Sequence, residues 1–322
     1  MIQRQLPPWA RIDHPVLRYI IGSEPEGSRQ RTYSRWIFVL VVSVVVAVVG
    51  YAIGSQFFAE DLFEKPISEA LMLMLFWPIF AIQIILSISA LAMTVGVIGE
   101  EKRRQTWDHL RTTTEGASLA IRARWSAVVF YRLRSPMIIV MLARVVLIGA
   151  MLYDLTAFRG DYLNNLTVNI TPELPLPVAV MLLALTMTAS FLLPFTSVGF
   201  DAAVGLLVST VVQQRVYVTL VQIALISVRV AIILGLLLGV TQFRTGGLEL
   251  SNVNLWLLLF AFAALGDWSL SILHLGYFGA VVWIDVEYSI LIGAALLVFV
   301  FVQTLITDGL LALAVRRAER RE

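Results

Sequence analysis

A chain of 322 residues with 59% apolar and 14% charged residues, and a mean hydropathy of +0.84, lies outside the range of soluble globular domains. A net charge of only +2 supplies no broad basic face for nucleic acid, and the absence of cysteine excludes disulfides, thiolate metal sites and cysteine nucleophiles. The composition is that of an all-α integral membrane protein.

Residues 1–35 carry Arg4, Arg11, Arg18, Arg29, Arg31 and Arg35 and read as a cytoplasmic or interfacial segment. A helix needs ~20 apolar residues to cross the hydrocarbon core. The first such run covers 36–57, too late and too long for a cleaved signal peptide. Further spans are predicted over 69–98, 136–158, 176–212, 216–240 and 286–315, ahead of an arginine-rich tail at 316–322. The fourth would reach ~55 Å as one straight helix, so a kink at Pro194 is expected, with its first turns in the outer interface. Loops 58–68, 159–175 and 241–254 carry one basic residue each, Lys65, Arg159 and Arg244, and are placed outside. The segment 99–135 and the Gln213-Gln214-Arg215 turn are placed inside.

The apolar segment 255–283 would, by one crossing, put the C-terminal arginines outside. Gly266-Asp267 breaks it, so a re-entrant outer hairpin before the last helix is expected, with two short crossings as the competing reading. The predicted fold therefore has six transmembrane helices in a transmembrane domain over 36–315, with both termini cytoplasmic. Its expected place is a prokaryotic plasma membrane.

The polar run from Gly99 to Gly116 interrupts this pattern. Glu100–Thr114 contains no glycine or proline and begins with two carboxylates, which suit a helix N-terminus. Trp107 and Leu110, at i and i+3, share a face with Thr106 and Thr113. Two readings stay open here: a knob for a cleft in another protein, or an interfacial helix with Trp107 in the headgroups. Glu100, Glu101, Arg104, Thr106, Trp107, Asp108, Leu110 and Thr113 are the candidate contact residues.

Three ions fall inside predicted spans. Arg144, Asp201 and Arg229 lie about 15, 18 and 20 Å from the cytoplasmic ends at ~1.5 Å per residue, and Gln83 reaches a similar depth. An intramembrane ion costs roughly 2.5–3.5 kcal/mol on insertion scales, so these residues are expected to face one another. They read either as a structural Arg–Asp–Arg cluster joining three helices, or as the polar lining of a path with one spare positive charge for an anionic head group.

The E-x-x-x-x-T-W-x-x-L-x-x-T pattern after the second span resembles the cytoplasmic segment of type-2 ATP-binding-cassette permeases, whose E-(x)-G-T-(L/W)-E-x-L-x-x-T-P stretch forms the coupling helix on the ATPase subunit. His14-Pro15-Val16-Leu17-Arg18 is similar to the N-P-(V/I)-(L/I)-x-(R/K)-E-(L/I) opening of such permeases, an interfacial helix before helix one. Gly205-Leu206-Leu207-Val208-Ser209 matches their small-residue turn late in a helix. Departures fall at Asp13-His14 for asparagine, Tyr19-Ile20 for a basic-acidic pair, Gln105 for glycine and Thr114 for proline. The resemblance implies an exporter permease, working as a homodimer or heterodimer in membrane lipid with separate ATPase subunits that hold ATP and Mg. It implies no cofactor in this chain. The alternative is a non-catalytic scaffold subunit of a respiratory, photosynthetic or secretion complex.

No G-x-x-x-x-G-K-[ST] loop is present, and Lys65 and Lys102 are the only lysines, so the chain is expected not to be an enzyme in its own right. His14, His109 and His274 are too few and too scattered for a bis-histidine haem or a metal site. Ser190 and Ser197 lack a histidine neighbour other than His274, which argues against an intramembrane protease. Asn165-Leu166-Thr167 and Asn169-Ile170-Thr171 match glycosylation acceptors, a pattern common by chance.

Overall fold

The computed structural model describes residues 7–11, 14–21, 37, 39–45, 48–52, 67–103, 105, 107, 116–157, 173–212, 214–266, 269 and 286–319. The described residues are overwhelmingly helical, with no strand among them, and the chain is an all-α multi-pass membrane protein. The helices are α1 (Pro15–Ile21), α2 (Ile67–Thr94), α3 (Val97–Arg103), α4 (Gly116–Ser126), α5 (Arg134–Ala157), α6 (Leu176–Val211), α7 (Arg215–Arg244), α8 (Asn252–Leu265) and α9 (Ile292–Glu319). A π-helical turn, Ala127–Arg132, joins α4 to α5.

Five helical segments are long and apolar enough to cross a membrane: Ala70–Arg103, Arg134–Tyr153, Leu176–Val211, Arg215–Phe243 and Ser289–Glu319. The predicted first span corresponds to a shorter apolar helical stretch, Val39–Ala52. The predicted second span is divided, since α2 stops at Thr94 and a turn at Val95-Gly96 starts α3. Among the described residues of the segment 99–135, α3 ends at Arg103, α4 covers Gly116–Ser126 and the π turn follows. The sequons at 165–171 and the second half of the expected hairpin, 270–283, lie outside the described residues.

Side-chain contacts sort the helix ends into two groups. At one end Ile98, Trp107, Ala117, Ile121, Leu206, Leu311 and Ala318 form one buried cluster, bringing α3, α4 and the C-termini of α6 and α9 together. At the opposite end the Glu287 N–H donates to Asn252 Oδ1 at 3.2 Å and the Trp256 indole to the Tyr288 carbonyl at 3.2 Å. The start of α8 and the approach to α9 therefore share one level. At 14 residues, α8 spans only ~21 Å, and its end at Gly266 points into the bundle, where Ser269 meets Ser190.

Helices α6 and α9 form the central pair. Leu193, Leu259, Phe262, Ile292 and Leu296 are fully buried around them. Their approach depends on Gly293, where a Cβ would stand 1.8 Å from Thr186 Oγ1 and 2.8 Å from the Leu182 carbonyl oxygen. Backbone cannot retreat as a flexible side chain can. Gly293→Val is therefore expected to cost about 3 kcal/mol, at the upper end of overpacking penalties, read as a lowered melting temperature in detergent by tryptophan fluorescence. Helix α7 is the least covered, exposing Val216, Leu220, Ile223, Val228 and Leu238 to the lipid side.

Two prolines sit inside long helices, Pro78 in α2 and Pro194 in α6. The helix of α6 continues through Pro194 to Val211. Proline lacks an N–H, so the carbonyl four residues earlier loses its helical donor. Those carbonyls belong to Met74 and Ser190. Gly50 of the Val39–Ala52 stretch lies so close to the Met74 carbonyl that a Cβ would stand 1.8 Å from its oxygen. Arg144 of α5 donates to the Ser190 carbonyl.

Candidate functional site

The polar segment is keyed into the bundle at several points. The Ile98 N–H, an orphan donor at the start of α3, donates to Ser209 Oγ of α6 at 2.8 Å. One turn earlier on α6, Gly205 abuts α2: a Cβ there would stand 1.9 Å from Thr94 Oγ1. Thr94 itself is back-bonded to the Ala90 carbonyl at 2.7 Å. The Gly205–Ser209 motif thus has a mechanical role, a close approach followed by a capping hydroxyl.

Glu100 and Glu101 diverge. Glu100 pairs with Arg103 at 2.5 Å on the exposed side. Glu101 turns inward to Arg124 of α4, whose side chain is buried. Burial lowers the Arg124 guanidinium to about 10, which still leaves it a cation at neutral pH, so the pair with Glu101 persists there. The same guanidinium lies over the Trp107 ring, 5.9 Å from its centroid.

Two expectations are corrected here. A continuous helix over Glu100–Thr114 is not formed, because α3 ends at Arg103 and Gln105 adopts φ 57°. Trp107 is not an exposed knob: it is 3% exposed and packs on Ile98, Ile121, Leu206 and Leu311. A solvent-facing indole gains less than one that finds an apolar socket in its own fold. Arg104, Thr106, Asp108, Leu110 and Thr113 lie outside the described residues.

Gln105 occupies left-handed space that costs a non-glycine residue roughly 1–2 kcal/mol. Gln105→Gly is expected to be neutral or stabilising. Gln105→Val, β-branched, is expected to lose on the order of 1–2 kcal/mol. Thermal melting of the two variants side by side measures both.

The N-terminal elements cover the outer face of α4. Leu17 of α1 is fully buried with Val16 against Leu119, Ala123 and Ala127. His14 Nδ1 accepts the Val16 N–H at 3.4 Å, a loose N-cap. The Trp9 carbonyl accepts from Ser126 Oγ at 2.9 Å and the Ala10 carbonyl from the Tyr131 hydroxyl at 3.0 Å. Trp125 crosses beneath, edge-on to Trp9, and donates its indole N–H to the Gly199 carbonyl at 2.8 Å.

Of the four intramembrane polar residues, three gather and one stands apart. Arg229 Nη2 donates to Ser197 Oγ at 2.8 Å, and its Nε lies 3.5 Å from Asp201 Oδ2. Ser87 of α2 hydrogen-bonds the Asp201 carboxylate. Gln83, one turn along α2 from Ser87, lines the same pocket as Ser197 and Arg229. Arg144 instead binds the Ser190 carbonyl, eleven residues or about 16 Å along α6 from Asp201. The single-level Arg–Asp–Arg cluster is therefore replaced by an Asp201–Arg229 pair and a separate Arg144 site. Depth counting failed because the last turns of α6, from Ala203 to Ser209, are buried by α3 and α4 instead of lipid.

Ser87 was not singled out in the sequence, and Ser197 only as a rejected nucleophile. The available signal was helical spacing: Ser190, Pro194, Ser197, Asp201, Gly205 and Ser209 recur at intervals of three or four on one face of α6. Among the described residues no group of three or more histidine, cysteine, aspartate or glutamate side chains is placed to hold a metal. Comparison of the chain with known protein families, with characterised proteins and with solved structures finds no match.

Proposed function

We propose that this chain is the membrane-spanning permease subunit of an exporter driven by a separate ATP-binding-cassette ATPase, with α3 and the residues after it as the coupling element. The observation that carries the reading is the conformation of two positions that depart from the permease pattern. Gln105 stands where those proteins carry glycine and adopts the left-handed backbone that glycine favours. His14 stands where they carry asparagine, and its ring performs the N-cap that asparagine performs best.

The placement of charge supports the orientation. Arg103, Arg122, Arg124, Arg132, Arg134, Arg215, Arg316 and Arg317 belong to the end that holds Trp107, whereas Glu173, Glu249 and Glu287 belong to the other. The arginine-rich end is the cytoplasmic one by the positive-inside rule. Six crossings are the count this reading takes. Helix α1 packs on α4 at the arginine-rich end and α2 starts at the far end, which supports one crossing between them. The contact of Asn252 with Glu287 brings the two ends of the intervening segment to one level, as a re-entrant path or two short crossings would both require.

In this reading Trp107 does not touch the ATPase. It anchors the coupling element to α6 and α9, while the exposed Arg103 and Gln105 face the partner. The test is gentle-detergent purification with mass spectrometry of the native protein, Arg103→Glu and Gln105→Glu. An ATPase bearing a phosphate loop is expected with the native chain and depleted with the variants. Its absence from the native preparation overturns the reading, and its full retention by both variants overturns the assigned surface.

A further inference from the structure

Where α2, α6, α7 and the end of α8 meet, a small cavity is left between Gln83, Ser87, Ser197, Arg229, Ile233 and Gly266. It measures about 20 Å³, room for one water molecule and for no larger guest. Two of the side chains around it are incompletely served. Gln83 is 9% exposed, yet among the described residues neither its Nε2 nor its Oε1 has a hydrogen-bond partner. The Arg229 Nε–H, 3.5 Å from Asp201 Oδ2, likewise makes no hydrogen bond. Buried polar groups of folded proteins are satisfied by another protein group or by ordered water.

The three atoms match the valences of water. Gln83 Nε2 and Arg229 Nε are donors, and Gln83 Oε1 is an acceptor. A water that accepts from Arg229 Nε can donate to Gln83 Oε1. Its other two valences have the amide Nε2 and the hydroxyls of Ser87 and Ser197 on the same walls. Two to four such partners are what a buried water needs. A cation in this space would face the guanidinium, and an anion would find a guanidinium whose charge Asp201 already offsets. Bulk water does not reach a site inside a bundle of membrane-spanning helices, so the molecule has to be a bound one.

We infer that one water molecule is bound in this cavity, accepting from Arg229 Nε and donating to the Gln83 amide. Arg229 then ties α7 to α6 directly, through Ser197, and to α2 through the water. The inference requires only that the helices lie in a membrane and is independent of an ATPase.

The test is X-ray radiolysis of the full-length protein in lipid nanodiscs, with hydroxylation read residue by residue by mass spectrometry. Radicals formed from a bound water attack the side chains beside it, whereas a buried side chain with no water next to it is spared. Phe80 lines the cavity, and Phe76, one turn earlier on α2 and 2% exposed, is a ring of the same reactivity that does not. Phe80 is expected to be modified severalfold faster than Phe76. Gln83→Leu withdraws the amide, and Ile233→Phe fills the space while keeping it. Each is expected to bring Phe80 down to the rate of Phe76, in protein shown to be folded by its melting curve. A parent Phe80 no more reactive than Phe76 overturns the proposal, as does a raised Phe80 rate kept by either folded variant.

Discussion

Asp201→Asn is expected to reduce the yield of folded protein and to cost about 3–5 kcal/mol, the range found when one partner of a buried ion pair is removed. The cost arises at Arg229. Its guanidinium lies within a helix long and apolar enough to cross a membrane, and loses the Asp201 carboxylate placed 3.5 Å away. Asp201→Leu combined with Arg229→Leu removes both charges and is expected to recover most of the loss, because a neutral apolar pair carries no desolvation penalty. Size-exclusion profiles and melting curves of the single and double variants give the coupling energy directly. A normal yield of well-folded Asp201→Asn would show that the pair does not hold α6 to α7.

The second large effect is expected at Arg144. Arg144→Met withdraws the donor from a carbonyl that Pro194 has already deprived of its helical partner, at a cost of roughly 2–4 kcal/mol. Pro194→Ala restores an N–H to the same carbonyl. In the Arg144→Met background it should therefore recover on the order of 1 kcal/mol or more, a gain smaller or absent in the parent chain. Strict additivity of the two substitutions, measured by thermal melting, would separate Arg144 from Pro194 and refute the link.

The apolar runs, the proline in the fourth span and the need of the intramembrane ions for polar partners were legible in the sequence, because each depends on local composition or on the cost of an isolated charge in lipid. The burial of Trp107 was not. Its socket is assembled from α4, α6 and α9, whose residues lie from ten to more than two hundred positions away, and spacing on one helix face cannot show which face another element covers. Arg144 was misplaced for a related reason. Counting residues from a span end gives depth only where the helix ends at the membrane, and α6 continues into the layer formed by α3 and α4. Gln105 is a third case: nothing in the side chain announces a left-handed backbone.

The missing rung between Ser190 and Pro194 has a mechanical consequence. On one side of it, Leu176–Leu193 is held to α9 by the close approach at Gly293. On the other, about 25 Å of helix from Phe195 to Val211 is clasped at Gly205 and Ser209 by α2 and α3. A helix yields first where it already lacks a hydrogen bond. The two arms thus meet at Ser190, where the Arg144 guanidinium takes the place of the missing helical donor. A displacement of α3 would reach α6 through the Ile98–Ser209 hydrogen bond, in the arm that carries Asp201 and Ser197, the two groups of α6 that hold Arg229.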